Sequence, residues 1–288
     1  MKDKFDYAVE ERNLAYMWDR HPEEFLSAYL RSGFFNPFIN PQQILTRNFL
    51  ASRIFGAELN HPYPILAILK LFFGFRDFTP MYLSSAIGKL TEKTASKIIE
   101  AIEARFYRNQ ANSQKVSVVD VGCGSGNYYE GFLKSGLAKH ISYIGIDVSK
   151  KNIANATRRF SPAHFRVGNI FSIDFPDNSF DLVIVSHVFE HLHPRALACA
   201  IRESIRVSKA ELIFNFFREQ DVPKHVINPV DKYHWNFLAR RELLKIIGSH
   251  AVTIIDRYPS LGSKKIQFID RRGALQSYSS WIIKKYES

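Results

Sequence analysis

The chain has little cysteine: Cys123 and Cys199 are the two in 288 residues. That is too few for a disulfide framework and fits a reducing compartment, so a cytoplasmic protein is expected. Long apolar runs are also missing. The longest candidate, 64–75, contains Lys70 and falls short of the roughly 20 residues that a membrane-spanning helix needs, so no membrane span is expected. The first twenty residues, Met1 to Arg20, are charged throughout, unlike the apolar core of a signal peptide. No glycine turn ends in Gly-Lys-Ser or Gly-Lys-Thr, which argues against a phosphate-gripping P-loop. There is no internal repeat and no low-complexity tract.

What remains is the composition of a globular enzyme, with 46% hydrophobic residues over a length that suits one full domain plus an appendage. The polar stretch 109–115 separates two characters of sequence, giving a helical N-terminal segment, 1–112, and a second unit, 113–288. In the first, Leu83, Ile87, Leu90, Thr94, Ile98, Ile102 and Phe106 draw one stripe along a long helix. Ile44, Leu45, Phe49, Ala51, Ile54 and Phe55 suggest another helix before Gly56. The aromatic cluster Phe34, Phe35, Phe38, Phe72, Phe73, Phe75 and Phe78 reads as core packing. The net charge of +11 belongs mainly to the second unit, where basic pairs such as Arg240-Arg241 and Arg271-Arg272 are scattered like a solvated face.

The most telling stretch is Val118 to Gly126, Val-Val-Asp-Val-Gly-Cys-Gly-Ser-Gly. An apolar strand runs into a triple-glycine turn, and a helix begins near Tyr128, which together make a ligand-binding corner. Gly122, Gly124 and Gly126 let the main chain turn sharply and let a ligand come close to it. The spacing is not the G-x-G-x-x-G of a dinucleotide site. A second strand, Tyr143 to Ile146, ends in Asp147, about 20 residues past the glycines, where an acid can hydrogen-bond a ribose diol.

Val118 to Gly126, Gly145-Ile146-Asp147, Gly168-Asn169-Ile170 and Phe180 to Ser186 occur in an order and spacing that resembles the class I S-adenosylmethionine-dependent methyltransferases, over about 116–270. The resemblance implies an α/β fold: a doubly wound, Rossmann-like, seven-stranded and mostly parallel sheet with an antiparallel last strand. It implies S-adenosyl-L-methionine as cofactor, with Gly122, Cys123, Gly124 and Gly126 under its methionine part and Asp147, followed by Val148, at the ribose. Asp120 would order the glycine loop or the ligand's amino group. Asn169 and Ile170 would meet the adenine, where Asn169 stands in the place of the usual acid and could both donate to and accept from the base edge. Ser186 and His187 would pass the reacting methyl. Strands are expected at Ala163–Val167, Glu211–Phe217, Thr253–Tyr258 and Lys265–Asp270, with a helix at Pro194–Val207. By analogy, the N-terminal segment would form a lid or wall over the acceptor site.

A methyl on a sulfonium is already a strong electrophile, so such an enzyme chiefly aligns two reactants. A base beside the methyl would help a hydroxyl acceptor. His191, in Glu-His-Leu after the fourth strand, is the best placed, and Tyr233 and His234 are expected to reach over the acceptor; Glu190 and His187 are further candidates. His187 to His191 also spells H-x-x-E-H, but a zinc site would need one continuous helix. Methyltransferases of small-RNA ends use Glu-x-x-Glu-His for a divalent ion, and here His187 replaces the first glutamate, so no metal is expected. The expected function is methyl transfer to oxygen or nitrogen of a small organic acceptor. An RNA or tRNA acceptor ranks second, and a non-catalytic cofactor-fold binding protein third.

Overall fold

The computed structural model describes residues 5–20, 41–55, 115–161, 163–257 and 278–286, and the short strands 260–261, 264–265, 268–269 and 275–276. The helical stripe expected over 83–106 and the aromatic cluster expected within 34–78 lie outside these residues. Two helices come first: α1 (Tyr7–Arg20) and α2 (Pro41–Phe55). Asp6 starts α1 by accepting the amide hydrogens of Ala8 and Val9 on its carboxylate, satisfying donors that have no partner within the helix.

Strands β1 (Val116–Val121), β2 (Ile141–Asp147), β3 (His164–Val167), β4 (Phe180–Ser186), β5 (Ser208–Phe216), β6 (Ala251–Arg257) and β7 (Tyr278–Lys284) make one sheet in the order β6-β7-β5-β4-β1-β2-β3. β7 runs antiparallel to β5 and β6, and the other neighbouring pairs are parallel. From β1 the chain builds outward through β2 to β3, then returns to place β4 on the other side of β1. The strand order reverses there, and a crevice opens at the carboxyl ends of β1 and β4.

The sequence of β4 explains its central place. Leu182, Val183, Ile184 and Val185 are all fully buried, the continuous apolar run of a strand covered on both faces. Side chains alternate across the sheet: Val118, Leu182 and Ile184 meet Phe132 and Tyr143 on one side, while Val119, Val121, Val183 and Val185 meet Leu197, Ile201, Leu243 and Ile247 on the other. The connecting helices are α3 (Asn127–Lys134), α4 (Lys150–Arg159), α5 (Pro194–Val207) and α6 (Arg240–Ile247). Both N-terminal helices join these cores, α1 through Leu14 and α2 through Leu50. No helix among the described residues is long and apolar enough to cross a membrane.

The last strand differs from expectation. Lys264-Lys265 pairs with Ser260-Leu261, and Phe268-Ile269 pairs with Leu275-Gln276, in two small ladders outside the main sheet. The sheet is completed instead by Tyr278–Lys284. An interior strand has to bury side chains on both faces, and Ser279, Ser280, Trp281 and Ile283 do so; the expected run starts at Lys265 and ends at Asp270, next to Arg271-Arg272.

Candidate active site

The glycine turn is shaped by backbone conformations that side chains resist. Gly122, Gly124 and Gly126 have φ of 79°, 54° and 86°, the left-handed region that favours glycine. At Gly122 a Cβ would come within 2.3 Å of Val188 Cγ2, whereas at Gly124 it would meet nothing within 4 Å, so the loop leaves open space beside that residue. The amides of Gly122 and Cys123 donate to the Ile146 carbonyl at 2.7 and 3.0 Å, which ties the turn to the end of β2.

Asp147 then braces the loop. Its Oδ2 accepts from the Gly124 amide at 2.9 Å, and its Oδ1 accepts from the Ser149 amide at 2.8 Å and from Asn152 Nδ2 at 3.3 Å. A carboxylate has about four acceptor sites, so room remains for one further donor. Burial pushes its pKa up, against the pull of the Ser149 and Gly124 amides. The loop and Asp147 form one wall of a cleft with Cys123 and Val148, continuing through Gly168, Asn169 and Ile170. Ser186, His187, Val188 and His191 also line it, and Leu14 and Trp18 of α1 and Gln43 of α2 add to the lining.

Two tautomers can be assigned in this cleft. Gln42 Nε2 donates to the carbonyls of Phe216 and Ser279 at 2.8 and 3.0 Å, which fixes Gln42 Oε1 as the acceptor for His187 Nε2 at 2.7 Å. His187 therefore carries its hydrogen on Nε2. Its φ of 56° is uncommon outside glycine. In His191, Nδ1 lies 3.2 Å from the carbonyl of His234; a carbonyl only accepts, so the hydrogen is on Nδ1 and Nε2 bears a lone pair. Nε2 is buried without a partner among the described residues. Burial pushes His187 down to about 3 and His191 down to about 4, so both are neutral at physiological pH.

Residues 119–214 match the family model described as a methyltransferase domain. These residues form a methyltransferase domain. A probable S-adenosylmethionine-dependent methyltransferase of Mycolicibacterium smegmatis is 29% identical over 181 residues, covering 58% of this chain and 66% of that protein. The tRNA N(3)-cytidine methyltransferase METTL2 of Gallus gallus is 23% identical over 193 residues, covering 61% of this chain and 52% of its own length. The chain thus spans about half to two thirds of these curated relatives. A crystal structure of a SAM-dependent methyltransferase from Methanosarcina mazei superposes with a TM-score of 0.48 at 18% identity, covering 63% of this chain and 97% of that one.

Within the methyltransferase domain, several expected residues stand elsewhere than the sequence suggested. Asp120 makes no hydrogen bond to the glycine loop among the described residues: it is fully buried, Oδ2 accepts from the Tyr143 hydroxyl at 2.8 Å, and Oδ1 has no partner among those residues. Burial pushes its pKa up to about 7. Gly126 lies outside the cleft lining and caps the start of α3. Asn169 lines the cleft, but its Oδ1 already accepts from the Phe171 and Ser172 amides, both at 2.9 Å. Both carbonyl lone pairs are engaged, so it cannot also accept from a ligand. Tyr233 and His234 are off the cleft wall as well. Their segment is drawn behind the cleft by Asn236, whose amide donates to the Glu190 carbonyl and whose Nδ2 donates to the Leu192 carbonyl, and it buttresses His191 through the His234 carbonyl and the Trp235 ring. Glu190 is fully buried, with Oε1 accepting from the amides of Phe217 and Arg218.

The H-x-x-E-H run is broken at its middle, since β4 ends at Ser186 and Phe189–His191 is a single 3₁₀ turn. The histidines therefore do not share the face of one α-helix. Sequence reasoning missed Leu14, Trp18 and Gln43 of the lining, and Gln42, which bonds His187. A helical pattern could have aligned Leu14 with Trp18, but no local signal states what that face covers.

Proposed function

We propose that the chain is a class I methyltransferase that binds S-adenosylmethionine and methylates an oxygen or nitrogen of a small organic acceptor. The observation that carries this reading is His191 Nε2, a buried lone pair without a partner among the described residues, on the wall of the same cleft as the glycine loop. The cleft fits the cofactor: open space beside Gly124, a remaining acceptor site on Asp147 for a ribose hydroxyl, and Val148 and Ile170 as apolar surfaces for the base. S-adenosylmethionine, when bound, supplies an electrophilic methyl. Ser186 and His187 line its passage. His191 accepts a hydrogen bond from the acceptor's O–H or N–H, orienting the attacking lone pair and receiving the proton as the new bond forms. His234 serves this chemistry as a positioning residue, through its carbonyl, and Tyr233 stands beside it. The segment 1–112 contributes wall to the site through Leu14, Trp18 and Gln43. None of the described residues lining the cleft is lysine or arginine, which favours a small molecule over the RNA that the avian relative's name indicates, because nucleic-acid affinity rests on cations placed against phosphate.

Calorimetric titration with S-adenosylmethionine and S-adenosylhomocysteine tests the cofactor half. Micromolar binding, about −8 kcal/mol, lost in Asp147→Ala, is expected. Folded protein that binds neither ligand would remove the reading and favour a scaffold role. With an acceptor found by screening, His191→Asn should lower kcat by about 10²–10⁴ and leave S-adenosylhomocysteine binding within about threefold, a free-energy change under 1 kcal/mol.

A further inference from the structure

We infer that the acceptor is an aromatic hydroxyl compound whose ring rests on Trp18 with its O–H directed at His191 Nε2, which makes Trp18 the residue that selects it; this rests on the methyltransferase reading above. Trp18 and His191 line the same cleft. Their ring centroids are 6.1 Å apart and their planes stand at 82°, within the edge-to-face range of aromatic pairs. A third ring between them would need roughly 8 Å, one stacked layer plus one edge-to-face contact. A flat acceptor therefore lies against Trp18 with its edge toward His191, and an aryl O–H projects from that edge in the plane of its ring. His191 Nε2 is buried without a partner among the described residues. Its aim is fixed, because Nδ1 donates to the His234 carbonyl and the rings of Phe217 and Trp235 pack on the imidazole at 5.6 and 5.4 Å.

Charge and basicity narrow the class further. Among the described lining residues none is lysine or arginine, and Asp147, the one carboxylate, already accepts three hydrogen bonds. An ionised acceptor would lie there without a counter-ion, so the compound is neutral. Burial lowers His191 to about 4, which makes it a weak base. Such a base suits a phenolic hydroxyl, with an ordinary pKa of about 10, better than the far less acidic hydroxyl of an aliphatic alcohol. Trp18 is also held in place: Leu14, one turn earlier on the same face of α1, is buried in the core, and the neighbouring Asp19 accepts from Ser149 Oγ at 2.6 Å. In the transfer, the hydroxyl oxygen bonds the methyl carbon and the carbon–sulfur bond breaks with its electron pair left on sulfur. The hydroxyl proton passes to His191 Nε2, and the products are an aryl methyl ether and S-adenosylhomocysteine.

The test saturates the full chain with S-adenosylhomocysteine and titrates it calorimetrically with 2-naphthol and with decahydro-2-naphthol, which keeps the carbon skeleton and hydroxyl position but is neither flat nor aromatic. Wild type should prefer 2-naphthol by about 3- to 10-fold, the worth of one aromatic pair beyond its buried area. Trp18→Leu keeps an apolar side chain on α1 and should bring the two ligands within about twofold of each other, while Trp18→Phe should retain most of the preference. With S-adenosylmethionine in place of S-adenosylhomocysteine, wild type should convert 2-naphthol to 2-methoxynaphthalene and leave the saturated alcohol unmethylated. Equal affinities in wild type, binding of neither alcohol, comparable methylation of both, or a preference unchanged in Trp18→Leu would overturn the inference. Failure of the wild type to bind S-adenosylhomocysteine would instead strike the cofactor reading itself.

Discussion

Replacing Gln42 by methionine asks whether α2 holds the transfer end of the cleft together. Methionine has similar length and no amide, so Gln42→Met leaves little cavity but removes at least three hydrogen bonds, those among the described residues being to the carbonyls of Phe216 and Ser279, and from His187 Nε2. A buried polar group left unsatisfied costs about 1–3 kcal/mol. Phe216 and Ser279 face each other across the β5–β7 ladder, and a carbonyl oxygen has a second lone pair, so the lower end applies to each. The three together come to about 3 kcal/mol. Urea unfolding at pH 7.5, with the slope unchanged, should read that loss as a lower midpoint. Gln42→Glu should lose more, because a carboxylate cannot donate to two carbonyls and carries a charge into a buried position. A loss under about 0.5 kcal/mol in Gln42→Met, the scatter of ordinary surface substitutions, would refute the view that this side chain joins the N-terminal helix to the sheet and fixes the His187 tautomer.

Two other perturbations probe the loop and the buried acid. Gly122→Ala meets both a left-handed φ and Val188 Cγ2 at 2.3 Å, and should cost about 2–3 kcal/mol, of which 1–2 is the backbone term and the rest the displaced valine; adding Val188→Ala should recover only the second part, and full recovery would show that backbone strain is not limiting. Burial pushes Glu190 up to about 7 from its ordinary 4.5. The native state therefore takes up a proton between those values, and wild-type stability falls as pH rises through that window. Glu190→Gln, an isostere of the neutral acid, should gain on wild type from pH 5 to pH 8 by up to about 3 kcal/mol, at 1.36 kcal/mol per pKa unit. Equal urea midpoints for the pair at both pH values would contradict the raised pKa.

Sequence pattern sufficed where the physics is local. The apolar run of β4 and the stripe of α5 fall where their side-chain periods place them, with Pro194–Val207 found at its expected bounds. The glycines are legible because few other residues tolerate their backbone. The last strand was misplaced because two charged hairpins separate β6 from β7, and a short alternating run does not reveal which of several candidates finds a partner across the sheet.

The sequence by itself determined the apolar β4 strand and the glycine turn, which follow from hydrophobic period and from a backbone that only glycine adopts readily, while the Rossmann-like sheet and the acid that ends β2 were legible through the resemblance in motif order and spacing. Tertiary structure alone decided which side chains complete the cleft. Glu11 and Asn169 are 158 residues apart, and Gln42 and His187 are 145 apart. No spacing encodes such pairs; they arise when burying Leu14 and Leu50 in the two cores carries polar neighbours on the same helices against residues of the cleft wall. The same packing demoted Tyr233 and His234 from the site wall to its support, because the carbonyl that fixes His191 comes from the backbone, which no side-chain pattern records.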